Sequence, residues 1–556
     1  MVALTPPTLE LNGSPISEQQ NPKLLGLTLD PRLLWKPHIQ AVTTQTARRL
    51  GALHKVTCSH GGVPTPVGIN IYKSTVRPLM EYGAALWSGA SDTLLAPLIS
   101  LQRKALTRVT GARYTTSADA IDVDACVVPL TIRWKILSLD WMSKIRRLPP
   151  NHPLLIQFNK PEYHRRLPWY NTFCQRVGKT WPEEDSRLKS HFEPLPVLPF
   201  DGILKLRLLH PDLMSREDCP CPPKKDCTSE SINQAKTWVQ NTLKLIRQNA
   251  DPPAVIAFTD GSCLSPAGPC GSGAAISVED ERIELVNPIS TCGSNNVAEF
   301  GAFVDVPNWF THRRLHLEAR PLHIFSDSTF AISLLLSNSP LKSGFSHDSI
   351  HKLYNLLREV ISRGCRLSFH WIPAHIGIPE NEKADELAKR AAQEAALSPH
   401  IRHNPLVRVP LQLAKLIHRQ NAQNEWKRLW ALPNTHGRHL YKFNPNITSQ
   451  PSKWVGSRRF SSLRCQLRHG HWGIQKAHDI EDLCHCNSGD AEDVHHFLFQ
   501  CSSWSIPREN MIRRAQQNHP TQRVSPKSLL APTNSYENQV QMHEIVNDFL
   551  SATDYV

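Results

Sequence analysis

The stretch Leu367-Ser368-Phe369-His370-Trp371-Ile372-Pro373-Ala374-His375-Ile376-Gly377-Ile378-Pro379-Glu380-Asn381-Glu382-Lys383-Ala384-Asp385 changes its period halfway along. Arg366 to Trp371 alternates as a strand does. Pro379-Glu380-Asn381 then opens a segment rich in Ala, Glu and Lys, which predicts a helix running through Ala396. Upstream, Val255–Phe258 is a short β-run leading into Thr259-Asp260-Gly261-Ser262. Residues 273–278 and 282–286 read as two further strands, joined by turns rich in Gly, Pro and Ser. Leu322–Ser326 is a buried-type strand ending at Asp327, and residues 329–336 and 350–361 read as helices. Asn295 or Asn296 could cap a helix bearing Glu299. The order of three strands, helix, strand, helix, strand, helix predicts an α/β domain, a mixed sheet with helices packed on it.

Four acids stand beside these elements: Asp260, Glu299, Asp327 and Asp385, with His375 in the loop before the last helix. Hard cations such as Mg²⁺ take oxygen ligands. Two of them held about 3.5–4 Å apart can clamp both oxygens of a phosphodiester displacement.

Composition bounds the rest. The chain has 556 residues, which suggests several domains, and its 44 prolines imply many breaks. No run of apolar residues is long enough to predict a membrane span. The N-terminus lacks the basic-then-apolar plan of a secretory signal. Fourteen cysteines in so long a chain do not make a disulfide scaffold, so a reducing, intracellular compartment is expected, nuclear or cytoplasmic. The net charge of +14 favours a polyanionic partner. Residues 401–480 hold fourteen Lys/Arg and only two acids, Glu425 and Asp479, whereas residues 251–396 hold twelve Lys/Arg and seventeen acids. An acidic module able to hold cations therefore precedes a basic one able to hold phosphates.

Residues 254–392 resemble the ribonuclease H domain through Phe258-Thr259-Asp260-Gly261-Ser262, Asn295-Asn296-Val297-Ala298-Glu299, Ile324-Phe325-Ser326-Asp327-Ser328 and the segment Trp371–Asp385. The resemblance implies a ribonuclease H-like sheet and cleavage of RNA in RNA–DNA hybrids. It implies that Asp260, Glu299, Asp327 and Asp385 hold two Mg²⁺ ions and that His375 assists proton transfer or product release. Ser262, Asn295, Asn296, Ser326, Ser328 and Asn381 are the expected contacts to substrate, several of them placed to read 2′-hydroxyls. Pro307, in Asp305-Val306-Pro307-Asn308-Trp309, predicts a break or kink in the helix that carries Glu299. Such a break would favour a second reading, a catalytically inactive nucleic-acid binder.

The flanks add context. Leu24–Asp30, Trp35-Lys36-Pro37-His38-Ile39, Tyr72–Gly83 and Leu101–Ala112 resemble the segment after the polymerase palm in non-LTR retrotransposon reverse transcriptases, which implies a mostly helical, thumb-like region over residues 1–150. No Asp-Asp pair occurs in the chain, so no polymerase activity is expected, and the chain looks like the C-terminal part of a larger polyprotein. Residues 151–250 read as a Pro-rich linker with short elements, where Cys219, Cys221 and Cys227 form an unpaired trio. Residues 251–396 are the nuclease-like domain and residues 397–456 a basic helical linker. Residues 457–505 resemble a short Cys-Cys-His-Cys cluster, with Cys484, Cys486, His496 and Cys501 as Zn²⁺ ligands, and residues 506–556 form a tail.

Overall fold

The computed structural model describes residues 10–12, 14–15, 19–58, 62–149, 151–159, 214–220, 228–335, 347–397, 411–447, 457–471, 486, 493–518, 520, 523–531 and 536–553. These fall into two compact units.

The unit built around residues 181–421 contains a six-stranded mixed sheet. Its strands are β1 (Met214–Asp218), β2 (Val255–Cys263), β3 (Cys270–Val278), β4 (Glu281–Ser290), β5 (Leu322–Ser326) and β6 (Leu367–Trp371), in the spatial order β1-β6-β5-β2-β3-β4. Strands β2, β3 and β4 form an antiparallel meander, whereas β2, β5, β6 and β1 run parallel. Its helices are α1 (Ser229–Asn249), α2 (Asn295–His312), α3 (Thr329–Leu335), α4 (His347–Ser362) and α5 (Pro379–Leu397). Both faces of β2 are covered, which explains its unbroken apolar run. Val255 and Ala257 pack with Phe300 and Phe303 of α2 and Leu353 and Leu357 of α4. Ile256 and Phe258 face Ala235, Val239 and Leu243 of α1.

Three expectations change here. Residues 151–250 are more than a linker: they supply the edge strand β1 and the 21-residue helix α1, which Thr228 caps by accepting from Ser231 N–H. Strand β1, Met-Ser-Arg-Glu-Asp, lacks apolar alternation because it lies at the sheet edge. Cys219, just after it, is buried against α1, and Cys221 and Cys227 lie outside the described residues. Second, β2 is nine residues long, so Asp260 lies within the strand. Third, Pro307 does not break α2, which is continuous over Asn295–His312. A proline inside a helix costs about 3 kcal/mol. Burial of Phe300, Phe303, Val306, Pro307 and Phe310 in one core outweighs it.

The second unit is helical. Residues 36–56 and 92–110 form long helices around a core in which Trp87 and Trp134 meet edge to face at 5.5 Å. The strand-like run at Leu24–Asp30 is a minimal hairpin, Lys23–Leu24 against Leu27–Thr28. The same unit includes helices Arg458–Arg468, Ser505–Asn518 and Tyr536–Ala552. The expected tail is therefore folded, with Met511, Ile545, Val546 and Phe549 packed on Leu467 and Phe497. No helix among the described residues is long and apolar enough to cross a membrane.

Candidate active site

Four elements converge at one place on the sheet. Strand β2 supplies Asp260 and helix α2 supplies Glu299, while Asp327 follows β5 directly. One carboxylate oxygen from each lies within 4.8 Å of the others. Asp385 comes from the second turn of α5, and it groups within the same distance with His375 and Glu382. The two groups are joined electrostatically, since the charge of Asp385 acts on Asp260, Glu299 and Asp327.

The close approach is set by glycines. A methyl group at position 261 would lie 2.0 Å from the backbone nitrogen of Glu299. Only glycine lets the first turns of α2 rest on β2. A methyl at position 273 of β3 would lie 2.3 Å from Ala388 N and 2.5 Å from Ala384 O, so α5 seats its alanines directly on the strand. Asp385 projects from that seated helix. Helix α2 is capped by Ser294, whose side chain accepts from Val297 N–H, not by Asn295 or Asn296. Both asparagines sit exposed in the first turn.

Crowding like charges in a buried place disfavours ionisation. Burial, reinforced by the charge of Asp327, pushes the Asp260 carboxyl up to about 8. Burial and the charge of Asp260 hold Glu299 well above the usual carboxylate range. Asp327 is also raised by burial, against the opposing pull of His375 and of a hydrogen bond from Asn381. Glu299 Oε2 is buried with no hydrogen-bond partner. A cluster of acids with an orphaned carboxylate oxygen has the chemistry of a hard-cation site. Lys389 Nζ meets Asp385 Oδ2 at 2.6 Å from the next turn of α5, a counter-charge that the sequence reading did not single out.

His375 stands at φ 50° in the loop before α5, with its side chain 49% exposed and Nδ1 4.0 Å from Asp385 Oδ2. Glu382 accepts from Gly377 N–H at 3.2 Å and so ties the loop to the helix. The expected substrate contacts divide. Asn295 and Asn296 are exposed and Ser262 is half-buried. Ser326 and Ser328 are buried, and their hydroxyls organise the turn: Ser326 Oγ accepts from Ser328 N–H, and Ser328 Oγ from Ala331 N–H. Asn381 is 2% exposed and holds Asp327. A pattern of residue types cannot separate such bracing groups from exposed ones. Of the expected zinc ligands, Cys486, His496 and Cys501 gather within 4.8 Å, and Cys484 lies outside the described residues.

Known proteins resemble the chain over the segment that carries these carboxylates. The RNase H family model matches residues 252–393. The ribonuclease H of Psychromonas ingrahamii is 28% identical over 146 residues, covering 24% of this chain and 88% of that protein. The RNA-directed DNA polymerase from mobile element jockey of Drosophila melanogaster is 27% identical over 143 residues, covering 26% of this chain. The chain spans only 16% of the jockey protein's length. Among solved structures, LC11-RNase H1 isolated from compost is 25% identical, with 26% of this chain and 99% of that one covered at a TM-score of 0.22. The matched segment holds the carboxylates of β2, α2, β5 and α5 within its bounds, and residues 252–393 are an RNase H domain on a chain homologous to Drosophila non-LTR retrotransposon polymerases.

Proposed function

We propose that this chain cleaves the RNA strand of RNA–DNA hybrids by hydrolysis dependent on two Mg²⁺ ions. The observation that carries this reading is the convergence of Asp260, Glu299 and Asp327 from three separate elements, with an unpartnered oxygen on Glu299. Asp260, Glu299, Asp327 and Asp385 would hold the ions. When bound, the ions supply an activated water and charge compensation at the departing 3′ oxygen.

The protein's own part is positional. Gly261 and Gly273 fix the distances between carboxylate-bearing elements. Asn381 orients Asp327. His375, exposed beside Asp385, is placed to pass a proton to or from bulk water. Exposed Asn295 and Asn296 and half-buried Ser262 offer polar groups toward an RNA strand, where a 2′-hydroxyl distinguishes RNA from DNA.

The alternative is a catalytically inactive nucleic-acid binder, which the absence of an Asp-Asp pair also favours; the continuity of α2 through Pro307 supports the catalytic reading. No polymerase chemistry is assigned to a chain without an Asp-Asp pair. A Zn²⁺ site at Cys484, Cys486, His496 and Cys501 is part of the proposal, supported by the 3.3 Å approach of Cys486 Sγ to His496 Nε2. An intracellular setting, where thiols stay reduced, suits it.

The test is incubation of purified chain with an end-labelled RNA–DNA hybrid and Mg²⁺, beside an Asp260→Asn control. RNA cleavage that disappears in the control supports the reading. Absence of cleavage by the unmodified chain, with hybrid still bound, refutes it.

A further inference from the structure

The RNase H family model matches residues 252–393, so β1 and α1 lie outside it. Both nevertheless reach the loop that carries His375. Strand β1 pairs with β6 through Asp218 and Trp371, and the ladder goes one bond further, from Cys219 N–H to the Trp371 carbonyl at 2.9 Å. Trp371 in turn donates its indole N–H to the Asp327 carbonyl at 3.2 Å. The start of the His375 loop is therefore tied to β1 on one side and to a candidate metal-binding segment on the other.

Helix α1 holds the rest of the loop. Ile372, Ile376 and Ile378 are 0%, 6% and 4% exposed, and the cluster that buries them includes Cys219 and, from α1, Ala235, Val239 and Leu243. Between the last two isoleucines stands Gly377 at φ +80°, where an added methyl group would lie 3.1 Å from Lys236 Nζ and 3.5 Å from Lys236 Cε. The end of the Lys236 side chain thus rests against the loop backbone, as a long stem does over a partly apolar surface. Glu382 of α5 holds the same glycine by accepting from its N–H at 3.2 Å. Two helices grip one residue, and only α5 belongs to the matched segment.

His375 needs such a grip. Its φ of 50° lies in a region that a non-glycine residue keeps only where its surroundings fix it. Its side chain is 49% exposed, so the constraint has to come from the neighbouring backbone and from Ile376 and Ile378. We infer that α1, seated beside β1, is a working part of the nuclease: it holds the His375 loop in place, with Lys236 and Val239 as positioning residues. The catalytic consequence rests on the hydrolytic reading above, whereas the hold on the loop rests on packing alone.

The test uses the full chain. Hydrogen exchange in EDTA is followed by mass spectrometry over peptides covering residues 372–380, in Val239→Ala, Lys236→Ala and Lys236→Met. Leu357→Ala, which opens a larger cavity in the core on the other face of the sheet, is the control. Lys236 is only half-buried, so its variants keep the fold even where Val239→Ala loosens it. Val239→Ala and Lys236→Ala should speed exchange of the loop amides at least roughly tenfold. Lys236→Met keeps the stem without the charge and should restore most of the protection, and Leu357→Ala should leave the loop within about twofold of the unmodified chain. In hybrid cleavage, Val239→Ala and Lys236→Ala should lower kcat roughly tenfold with KM within about twofold, since a displaced loop misplaces His375 without removing a substrate contact. Unchanged loop exchange in both α1 variants, or equal acceleration in Leu357→Ala, overturns the inference. So does a raised KM with unchanged kcat that Lys236→Met shares, because that pattern makes Lys236 a substrate contact. An unmodified chain that never cleaves refutes the hydrolytic reading, while the exchange comparison still decides whether α1 holds the loop.

Discussion

Gly261 and Glu299 are in such close register that a methyl group at position 261 would fall 2.0 Å from the Glu299 backbone nitrogen. Gly261→Ala must therefore push α2 away from β2. The carboxylate of Glu299 would move relative to Asp260, and a displacement near 1 Å can cost about 10²-fold in rate. We expect that loss in hybrid cleavage, together with about 1–3 kcal/mol of overpacking strain in denaturant melts. Near-normal activity in Gly261→Ala would show that Glu299 needs no fixed position.

Asn381 should behave as a positioning residue for Asp327. Asn381→Ala removes the hydrogen bond that orients this carboxylate, and it should weaken Mg²⁺ affinity by about 10–100-fold. The informative comparison is cleavage at saturating against limiting Mg²⁺. Activity should recover substantially at saturation. A loss independent of Mg²⁺ would place Asn381 on the substrate instead.

The carboxylate cluster makes a pH prediction for the metal-free protein. The Asp260 carboxyl lies at about 8 in the fold, above its unfolded value of about 3.9. Its stabilising contribution is therefore complete below about pH 4 and is lost as pH rises through 8. Buried His323 and His370 are held down at about 4 and about 3, so their effect on stability is confined to more acidic conditions. Between about pH 7 and pH 8, melts in EDTA should show the RNase H unit losing stability. Mg²⁺ should reverse that loss and release protons on binding. Asp260→Asn should flatten the profile and raise the metal-free melting temperature at pH 8 by about 2–4 °C per kcal/mol regained. A profile in EDTA that rises from pH 7 to pH 8 would contradict this.

The Cys-His group has its own test. Elemental analysis of purified chain should find one zinc per molecule, lost in Cys501→Ser, and chelation should lower the melting temperature of the helical unit, whose core includes the neighbouring Phe497 and Leu498. Zinc-free protein with unchanged stability would assign these groups to ordinary packing.

Where the sequence was legible, the reason is local. The apolar runs of β2 and β5 and the period change across Trp371–Asp385 are dictated by residues next to one another, and each run carries its acid to the same end of the sheet. What stayed hidden depends on distant partners. Strand β1 owes its place to pairing with β6, since nothing in Met-Ser-Arg-Glu-Asp announces a strand. Helix α1 carries Ile232, Ala235, Val239, Leu243 and Ile246 as an apolar stripe at helical spacing, a signal masked by its Pro-rich neighbourhood. The continuity of α2 through Pro307 is settled by core burial that no local rule can weigh. Ser326, Ser328 and Asn381 matched a substrate-reading pattern by residue type, yet each is buried and bonded within the scaffold. The folding of residues 505–552 onto Leu467 and Phe497 is likewise a tertiary fact.

The most direct test of the central claim is single-turnover cleavage of a hybrid labelled on both strands, measured across Mg²⁺ concentrations for the unmodified chain and for Glu299→Gln. The account predicts cuts in the RNA strand alone that leave 3′-hydroxyl ends, a rate that rises with more than first-order dependence on Mg²⁺, and a loss of at least roughly 10²–10³-fold in the variant. Cleavage that persists undiminished in Glu299→Gln, or an unmodified chain that binds the hybrid and never cuts it, would contradict it.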